Sequence, residues 1–217
     1  MLKYLSICFE LLAFLIALIN LKKNKGSFIQ WMAPYLFFVL LTEVLAVYTY
    51  YELKIVNAFI YYPYLIINII FYSYLFNQLL NNKRNAKIVS TIAVTVITIA
   101  YLIVFFFIAN RIELLYKLKI TTGIYLTVFA CYYLYTEFAN DNLEEFLIKK
   151  SGFWIATGVL LFHSGYSIVI TLHPFTSKNK IFIFGLPIHN FFAQVLSVFL
   201  YTCLAIAMIV WKPKTKK

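Results

Sequence analysis

Seven long apolar runs constrain this chain more than any other feature. They lie at about residues 2–21, 28–50, 55–79, 88–109, 119–138, 152–172 and 187–211. Each has roughly 17–25 residues, the length that an α-helix needs to cross the hydrocarbon core of a bilayer. Membrane-spanning strands would be shorter and would alternate between apolar and polar residues. We therefore predict an all-α polytopic membrane protein, in which residues 1–217 form one domain, a seven-transmembrane-helix bundle.

The composition excludes the common soluble classes. Only 12% of the residues are charged and 63% are hydrophobic, whereas a soluble domain carries about 25% charged residues. We therefore expect the lipid bilayer as the main surroundings and no nucleic acid as a partner. The three cysteines lie inside apolar runs, with neither a disulfide framework nor a CxxC metal motif. No metal and no other cofactor is predicted.

Basic residues predict the orientation of the bundle, because Lys and Arg are enriched on the cytoplasmic side of membrane proteins. With the N-terminus outside, twelve basic residues lie in cytoplasmic segments and seven in external ones. The twelve are Lys22, Lys23, Lys25, Lys83, Arg84, Lys87, Lys149, Lys150, Lys212, Lys214, Lys216 and Lys217. The seven are Lys3, Lys54, Arg111, Lys117, Lys119, Lys178 and Lys180. We predict that the N-terminus is outside and the C-terminus inside.

Three ionisable residues inside the apolar runs stand out: Glu10, Glu43 and His163. A charge in the middle of a bilayer costs at least a few kcal/mol, so such residues usually face the bundle interior and find a partner there. The rise of an α-helix places Glu10, Glu43, Tyr61 and Gln194 in one layer, about 9–12 Å from the outer ends of their helices, with His163 near the midplane. We predict that these five residues converge in a ligand-binding pocket in the outer half of the bundle.

Other polar residues follow helical stripes. The third run carries Asn57, Tyr61, Tyr64, Asn68 and Tyr72 on one stripe, and the seventh carries Asn190, Gln194, Ser197 and Tyr201. We take Asn57, Asn68 and Asn190 as secondary site residues. Packing is the alternative for all of these stripes, because polar side chains also hydrogen-bond helices to one another in membranes. Apart from Lys3 and Lys119, at the starts of two runs, no Lys or Arg lies in an apolar run, so the two carboxylates have no obvious counter-ion deep in the membrane.

The sequence lacks the motifs of voltage sensors, of potassium-channel filters and of several enzyme classes. It has no regularly spaced arginines of a voltage sensor, no TVGYG-type filter, and no GxSxG, HExxH or P-loop motif. A zinc site made of Glu10, Glu43 and His163 is chemically possible, but the three residues are far apart in the sequence. We therefore expect a protein that is not an enzyme.

Four features together resemble a group of small, uncharacterised seven-helix proteins of the bacterial inner membrane. They are the stretch Phe153 to Phe162, the Leu41-Thr42-Glu43 step, the aromatic helix from Asn57 to Asn77, and the polar start of the last run at Asn190. Members of that group are often encoded beside histidine kinases that lack a sensor domain. The resemblance implies a multi-pass protein of the bacterial cytoplasmic membrane with a sensory or kinase-partner role.

We therefore expect a non-enzymatic sensory or signalling module. Its outer-half polar pocket binds an unknown small ligand or a proton, and its state passes to a cytoplasmic partner such as a histidine kinase. A proton- or cation-coupled small transporter or channel is the alternative, in which Glu10 and Glu43 carry the transported species. An intramembrane lipid-active enzyme is a third possibility.

Overall fold

The computed structural model describes residues 5–21, 27–54, 58–81, 83–107, 111–139 and 147–211. Within these ranges the chain forms seven α-helices and one short antiparallel hairpin. The helices are α1 (Leu5–Ile19), α2 (Met32–Tyr51), α3 (Ala58–Leu79), α4 (Arg84–Phe107), α5 (Arg111–Ala139), α6 (Ser151–Lys178) and α7 (Ile188–Val210). The strands are β1 (Phe182–Ile183) and β2 (Leu186–Pro187). The all-α class predicted from the sequence is confirmed.

Five of these helices are long and apolar enough to cross a membrane: α2 with the turn before it, α4, α5, α6 and α7. The described part of α1 has 15 residues and is shorter than a full span. α3 has 22 residues and carries several tyrosines, Asn68 and Asn77, and it is not among these five helices. The structure thus supports a multi-pass membrane protein.

The outward faces of the helices are apolar. On α4, the side chains of Ile92, Val96 and Phe107 are 60%, 61% and 82% exposed. Exposed leucines follow the outer face of α1 in the same way, whereas Glu10, Ala13 and Ala17 are its buried residues. Soluble monomers rarely expose contiguous apolar surface of this extent, so these faces are suited to contact with lipid.

Several helices are longer than their apolar runs. α5 begins at Arg111 rather than near residue 119, and α6 continues to Lys178 rather than ending near residue 172. A hydropathy pattern stops at the first charged residues, but a helix that leaves the hydrocarbon keeps its backbone hydrogen bonds in the headgroup region. Lys119 therefore lies inside α5, two turns from its start, and not in a loop.

Six helices close into a ring, and one lies outside it. α1 packs against α2, α2 against α3, α3 against α5, α5 against α6, α6 against α7, and α7 against α1. α4 packs on the outside, against α3 and α5. Side chains from all six ring helices can therefore meet in one interior.

The two ends of the bundle differ. The hairpin joins α6 to α7 at one end, which we call the hairpin end; α7 finishes at the other, which we call the tail end. The turn of the hairpin is formed by Phe184 and Gly185. Both have positive φ (51° and 77°), as a tight two-residue hairpin turn of this kind requires. Trp31, Trp154 and Trp211 all lie at the tail end, where α2 and α6 begin and α7 ends.

Candidate functional site

Polar side chains around Glu10 and Glu43 lie inside the ring, and we call them the interior cluster. The first part of this cluster joins α2, α3 and α5. The hydroxyl of Tyr61 donates a hydrogen bond to Oε2 of Glu43 over 3.4 Å. Nζ of Lys119 lies 5.0 Å from the centre of the Tyr61 ring, in the geometry of a cation–π contact. Lys119 also interacts electrostatically with Glu43. The carboxyl group of Glu43 thus lies within electrostatic range of an ammonium group inside the bundle, contrary to the sequence interpretation that placed Lys119 in an external loop.

The second part surrounds Glu10, which is 3% exposed. The hydroxyl of Tyr201 on α7 lies close to the Glu10 carboxyl group, and Glu43 lies within electrostatic range of it. Tyr35 and Tyr64 also lie close enough to interact electrostatically with Glu10. Its Oε2 atom is buried and has no hydrogen-bond partner among the described residues. A buried carboxylate oxygen without a partner is costly, which marks this half of the cluster as incomplete.

A layer of tyrosines extends the cluster toward the tail end. The hydroxyl of Tyr35 donates a 2.9 Å hydrogen bond to Oδ1 of Asn68, and the rings of Tyr35 and Tyr72 meet edge to face at 5.6 Å. The Tyr72 hydroxyl is buried, and among the described residues it makes no hydrogen bond of normal geometry. A further tyrosine, Tyr166 of α6, lies within electrostatic range of Glu43 and Tyr61.

His163 lies beside this layer. It is 5% exposed, and its ring meets Tyr72 at 5.9 Å and Phe162 at 5.0 Å. Its Nε2 atom is buried without a hydrogen-bond partner among the described residues. Glu10, Tyr72 and His163 therefore each present an unpartnered polar atom in the interior of one bundle.

The structure brings together most of the residues that the sequence singled out. Glu10, Glu43 and Tyr61 belong to the cluster described above, Asn68 is buried beside it, and His163 borders it through Tyr72. Gln194 is half-buried on α7, and it is Tyr201, two turns deeper on the same helix face, that reaches Glu10. Asn190 is exposed at the start of α7. Asn57 lies outside the described residues.

The hairpin end of the cluster leads into further polar side chains. Nζ of Lys119 lies 6.0 Å from the ring centre of Tyr116, and that ring is 5.6 Å from His173. The rings of His173 and His189 are 4.5 Å apart, and Nε2 of His173 lies 3.3 Å from Oγ of Ser177. Polar groups therefore continue from the cluster to this end of the bundle.

The tail half of the ring interior is apolar and closely packed. Its fully buried side chains come from α2, α3, α6 and α7 and from the turn before α2. They are Ile29, Met32, Leu36, Leu75, Phe76, Ile155, Leu204 and Met208, each at most 2% exposed. These side chains close the polar cluster off from the tail end.

Among the described residues, no three His, Cys, Asp or Glu side chains converge to hold a metal ion. The chemistry of the cluster is instead that of two carboxylates, one ammonium group and several tyrosines. Such a set is suited to binding a cation or a proton through carboxylate charge, hydroxyl groups and aromatic faces.

Comparisons with known proteins found no match: no family model, no curated protein and no solved structure matches this chain. The resemblance to small seven-helix membrane proteins stays a prediction.

Proposed function

We propose that this protein is a seven-span sensory or signalling module of a bacterial cytoplasmic membrane, with its N-terminus outside and its C-terminus inside. In this proposal, the interior cluster binds a small cationic ligand or a proton from the hairpin end. Binding shifts the packing of the ring, and the tail end passes that state to a cytoplasmic partner such as a histidine kinase.

One observation carries the proposal: among the described residues inside the ring, polar groups continue from the cluster toward the hairpin end, and the tail side is packed with apolar side chains. Lys119, Tyr116 and His173 connect it toward the hairpin end, while a packed apolar layer lies on its tail side. A receptor needs a site reached from one side, whereas a transporter needs polar or mobile elements along the whole path. A closed tail half therefore favours ligand sensing over passage.

Transport through the bundle is the second candidate, and one feature favours it. Between α3, α4 and α5 a second set of polar side chains lies in the tail half. Ser73 and Tyr125 are hydrogen-bonded at 2.9 Å, Tyr125 reaches Ser90 at 3.2 Å, and Asn77 donates to Ser90 at 3.0 Å. A path along these residues would bypass the apolar layer.

The substitution Glu43→Gln tests the proposal, because Gln keeps the shape but can neither carry charge nor titrate. In the native host, we expect the variant to accumulate in the membrane at the wild-type level. Its transcriptional response should nevertheless resemble that of a strain lacking the protein. Glu113→Gln is the matched control, since Glu113 is exposed on α5 and pairs only with Lys117 at 2.8 Å among the described residues.

Ion flux in vesicles separates the two candidates. Purified protein in sealed liposomes containing a pH-sensitive dye should produce no proton flux above empty liposomes if the protein is a sensor. Flux that Glu43→Gln abolishes would favour the transporter. If the Glu43→Gln variant keeps both the response and the flux of the wild-type protein, Glu43 has neither functional role.

A further inference from the structure

The hairpin between α6 and α7 carries a phenylalanine at a strained and exposed position. Phe184, in the turn, is 79% exposed, and its backbone is left-handed (φ 51°). Large aromatic residues rarely adopt this conformation, which Asn and Gly adopt at lower cost. An apolar ring also gains free energy when it leaves water. The turn therefore presents a ring that is suited to contact with something outside the chain.

An apolar stripe of α7 leads to this ring. The side chains of Phe192, Val195 and Phe199 are exposed, and their spacing places them on one side of the helix. The ring centre of Phe192 is 5.7 Å from that of Phe191, which in turn is 5.9 Å from that of Phe184. The lipid-facing stripe of α7 thus continues through two ring contacts to the turn.

The exposed stripe of α6 reaches the hairpin in the same way. Ile168, Leu172 and Phe175 are exposed at helical spacing, and Phe175 lies in the last turn of the helix. The first strand then begins with an exposed residue, Phe182, and its neighbour Ile183 is partly buried. Both helices therefore extend their apolar outer surface as far as the hairpin.

Helix rise places the hairpin at the level of the lipid headgroups. Trp154 and Trp211 lie at the tail end, and Trp is enriched at membrane boundaries. α6 rises about 31 Å from Trp154 to Phe175, and α7 spans about 30 Å between Phe191 and Trp211, close to the thickness of the hydrocarbon core. Beyond Phe175 and Phe191 each helix has three further residues, or about 5 Å. The headgroup layer on each side of a bilayer has a similar depth.

The charge of this region suits a phospholipid surface. Lys178 and Lys180 are exposed beside the hairpin, and the sequence from Ser151 to Lys217 contains no Asp or Glu. A lysine at a membrane boundary can keep its stem in apolar surroundings while its ammonium group reaches polar groups. Lipid phosphates at this level are anionic partners for both side chains.

We propose that the hairpin binds the headgroup layer of its own membrane. The ring of Phe184 inserts at the boundary between headgroups and acyl chains, and Lys178 and Lys180 contact lipid phosphates. Lipid is the partner because the exposed rings extend surfaces that face acyl chains on both helices. The proposal goes beyond the sensory function, and it holds for either orientation of the bundle and for any ligand of the interior cluster.

Photo-cross-linking identifies the molecule that covers the ring. Phe184→benzoylphenylalanine in the full-length protein, irradiated in host membranes, should form adducts with phospholipid that are detected by mass spectrometry. Phe199→benzoylphenylalanine, on the exposed stripe of α7, is the positive control. Leu204→benzoylphenylalanine, at a residue with no exposed surface, should form no lipid adduct.

Tryptophan fluorescence measures the depth of the turn. In a background with the three native tryptophans replaced by phenylalanine, Phe184→Trp should be quenched more by lipids brominated near the headgroup than by lipids brominated near the chain ends. Aqueous acrylamide should quench it weakly. Phe199→Trp should show the opposite order of the two lipids, because residue 199 lies about 18 Å from Trp211 along α7, near the middle of the bilayer.

Three outcomes overturn the proposal. Adducts at position 184 with a second copy or with another protein would assign the ring to that partner. The absence of lipid adducts there, while position 199 forms them, would remove lipid as the occupant. Strong quenching of Phe184→Trp by acrylamide, with none by either brominated lipid, would place the ring in water. If the background without native tryptophans fails to fold, the cross-linking result decides, because those variants keep all three.

Discussion

Lys119 and Glu43 form an opposite-charge pair whose members lie on helices that are not neighbours in the ring, α5 and α2, with Tyr61 of α3 between them. Each charge lowers the cost of keeping the other away from water. Removing one partner leaves the other in a poorly solvated position, which costs more than removing both. The pair therefore contributes to holding three helices together.

A double-mutant cycle measures this coupling. We expect Lys119→Met to destabilise the bundle, and Glu43→Gln to restore part of the loss when it is introduced in addition. The coupling free energy should be about 0.5 kcal/mol or more, at the lower end of the range for coupled residues, because the two charged groups interact electrostatically without an ion pair within 4.0 Å in the described structure. The measurement is unfolding in mixed micelles for wild type, both single variants and the double variant. Additive effects of the two substitutions would show that Lys119 and Glu43 are not partners.

The sequence was sufficient to select the carboxylates but not their partners. Glu10 and Glu43 stand out because a charged residue in an apolar run is rare, and their meeting followed from counting helix rise. Lys119 was missed because it lies where an apolar run begins, so it was assigned to the loop. On α7 the helix rise selected Gln194, whereas Tyr201, on the same stripe and two turns deeper, lies beside Glu10 in the structure.

The position of Tyr201 beside Glu10 has a physical cause. Counting from the outer end assumes that all helices begin in one plane, but the hairpin shows that α7 begins beside a structured connection. Counted from the tail end, Glu10 lies nine residues before Ile19 and Tyr201 lies nine residues before Val210. Both are then about 13 Å from that end, which accounts for their contact.

At the scale of helices, α6 and α7 form the closest pair in the ring. A Cβ atom at Gly158 would lie 2.8 Å from Cβ of Cys203, and one at Gly165 would lie 2.8 Å from Cδ2 of Leu196. Two glycines one heptad apart on α6 thus allow this close approach. The hydroxyls of Ser164, Ser167 and Thr171 bond to carbonyls of their own helix, so small size, rather than bonds between helices, is what these residues contribute.

Gly158→Ala should therefore destabilise the protein, because the added methyl group meets a Cβ atom that cannot rotate away. We expect a loss of about 1–3 kcal/mol, typical of overpacking in a close-packed interior, and a lower unfolding midpoint in nanodiscs. Ser164→Ala is the control on the same helix, because its hydroxyl bonds only within α6 among the described residues. Equal midpoints for Gly158→Ala and the wild type would contradict the close packing of α6 and α7.

For the whole molecule, orientation is the property that the basic residues predict. Reporter fusions test it: a fusion after Lys217 should be active as a cytoplasmic reporter, and one inserted at Lys178 should be active only as an external reporter. Lys178 is exposed at the end of α6, on the hairpin end, so an insertion there disturbs little packing. The opposite pattern of activities would invert the proposed direction of signalling.

The last prediction follows from the distribution of polar groups along the bundle. If the interior site is reached only from the hairpin end, a charged, membrane-impermeant thiol reagent should reach the level of Glu10 but not the apolar layer below it. In a background with Cys8, Cys131 and Cys203 replaced by alanine, Tyr64→Cys should react with the reagent added at the hairpin side. Leu204→Cys, at a residue with no exposed surface, should react from neither side. Because a transport cycle must open both halves in turn, labelling of Leu204→Cys in the folded protein would favour transport over sensing, whatever ligand the cluster binds.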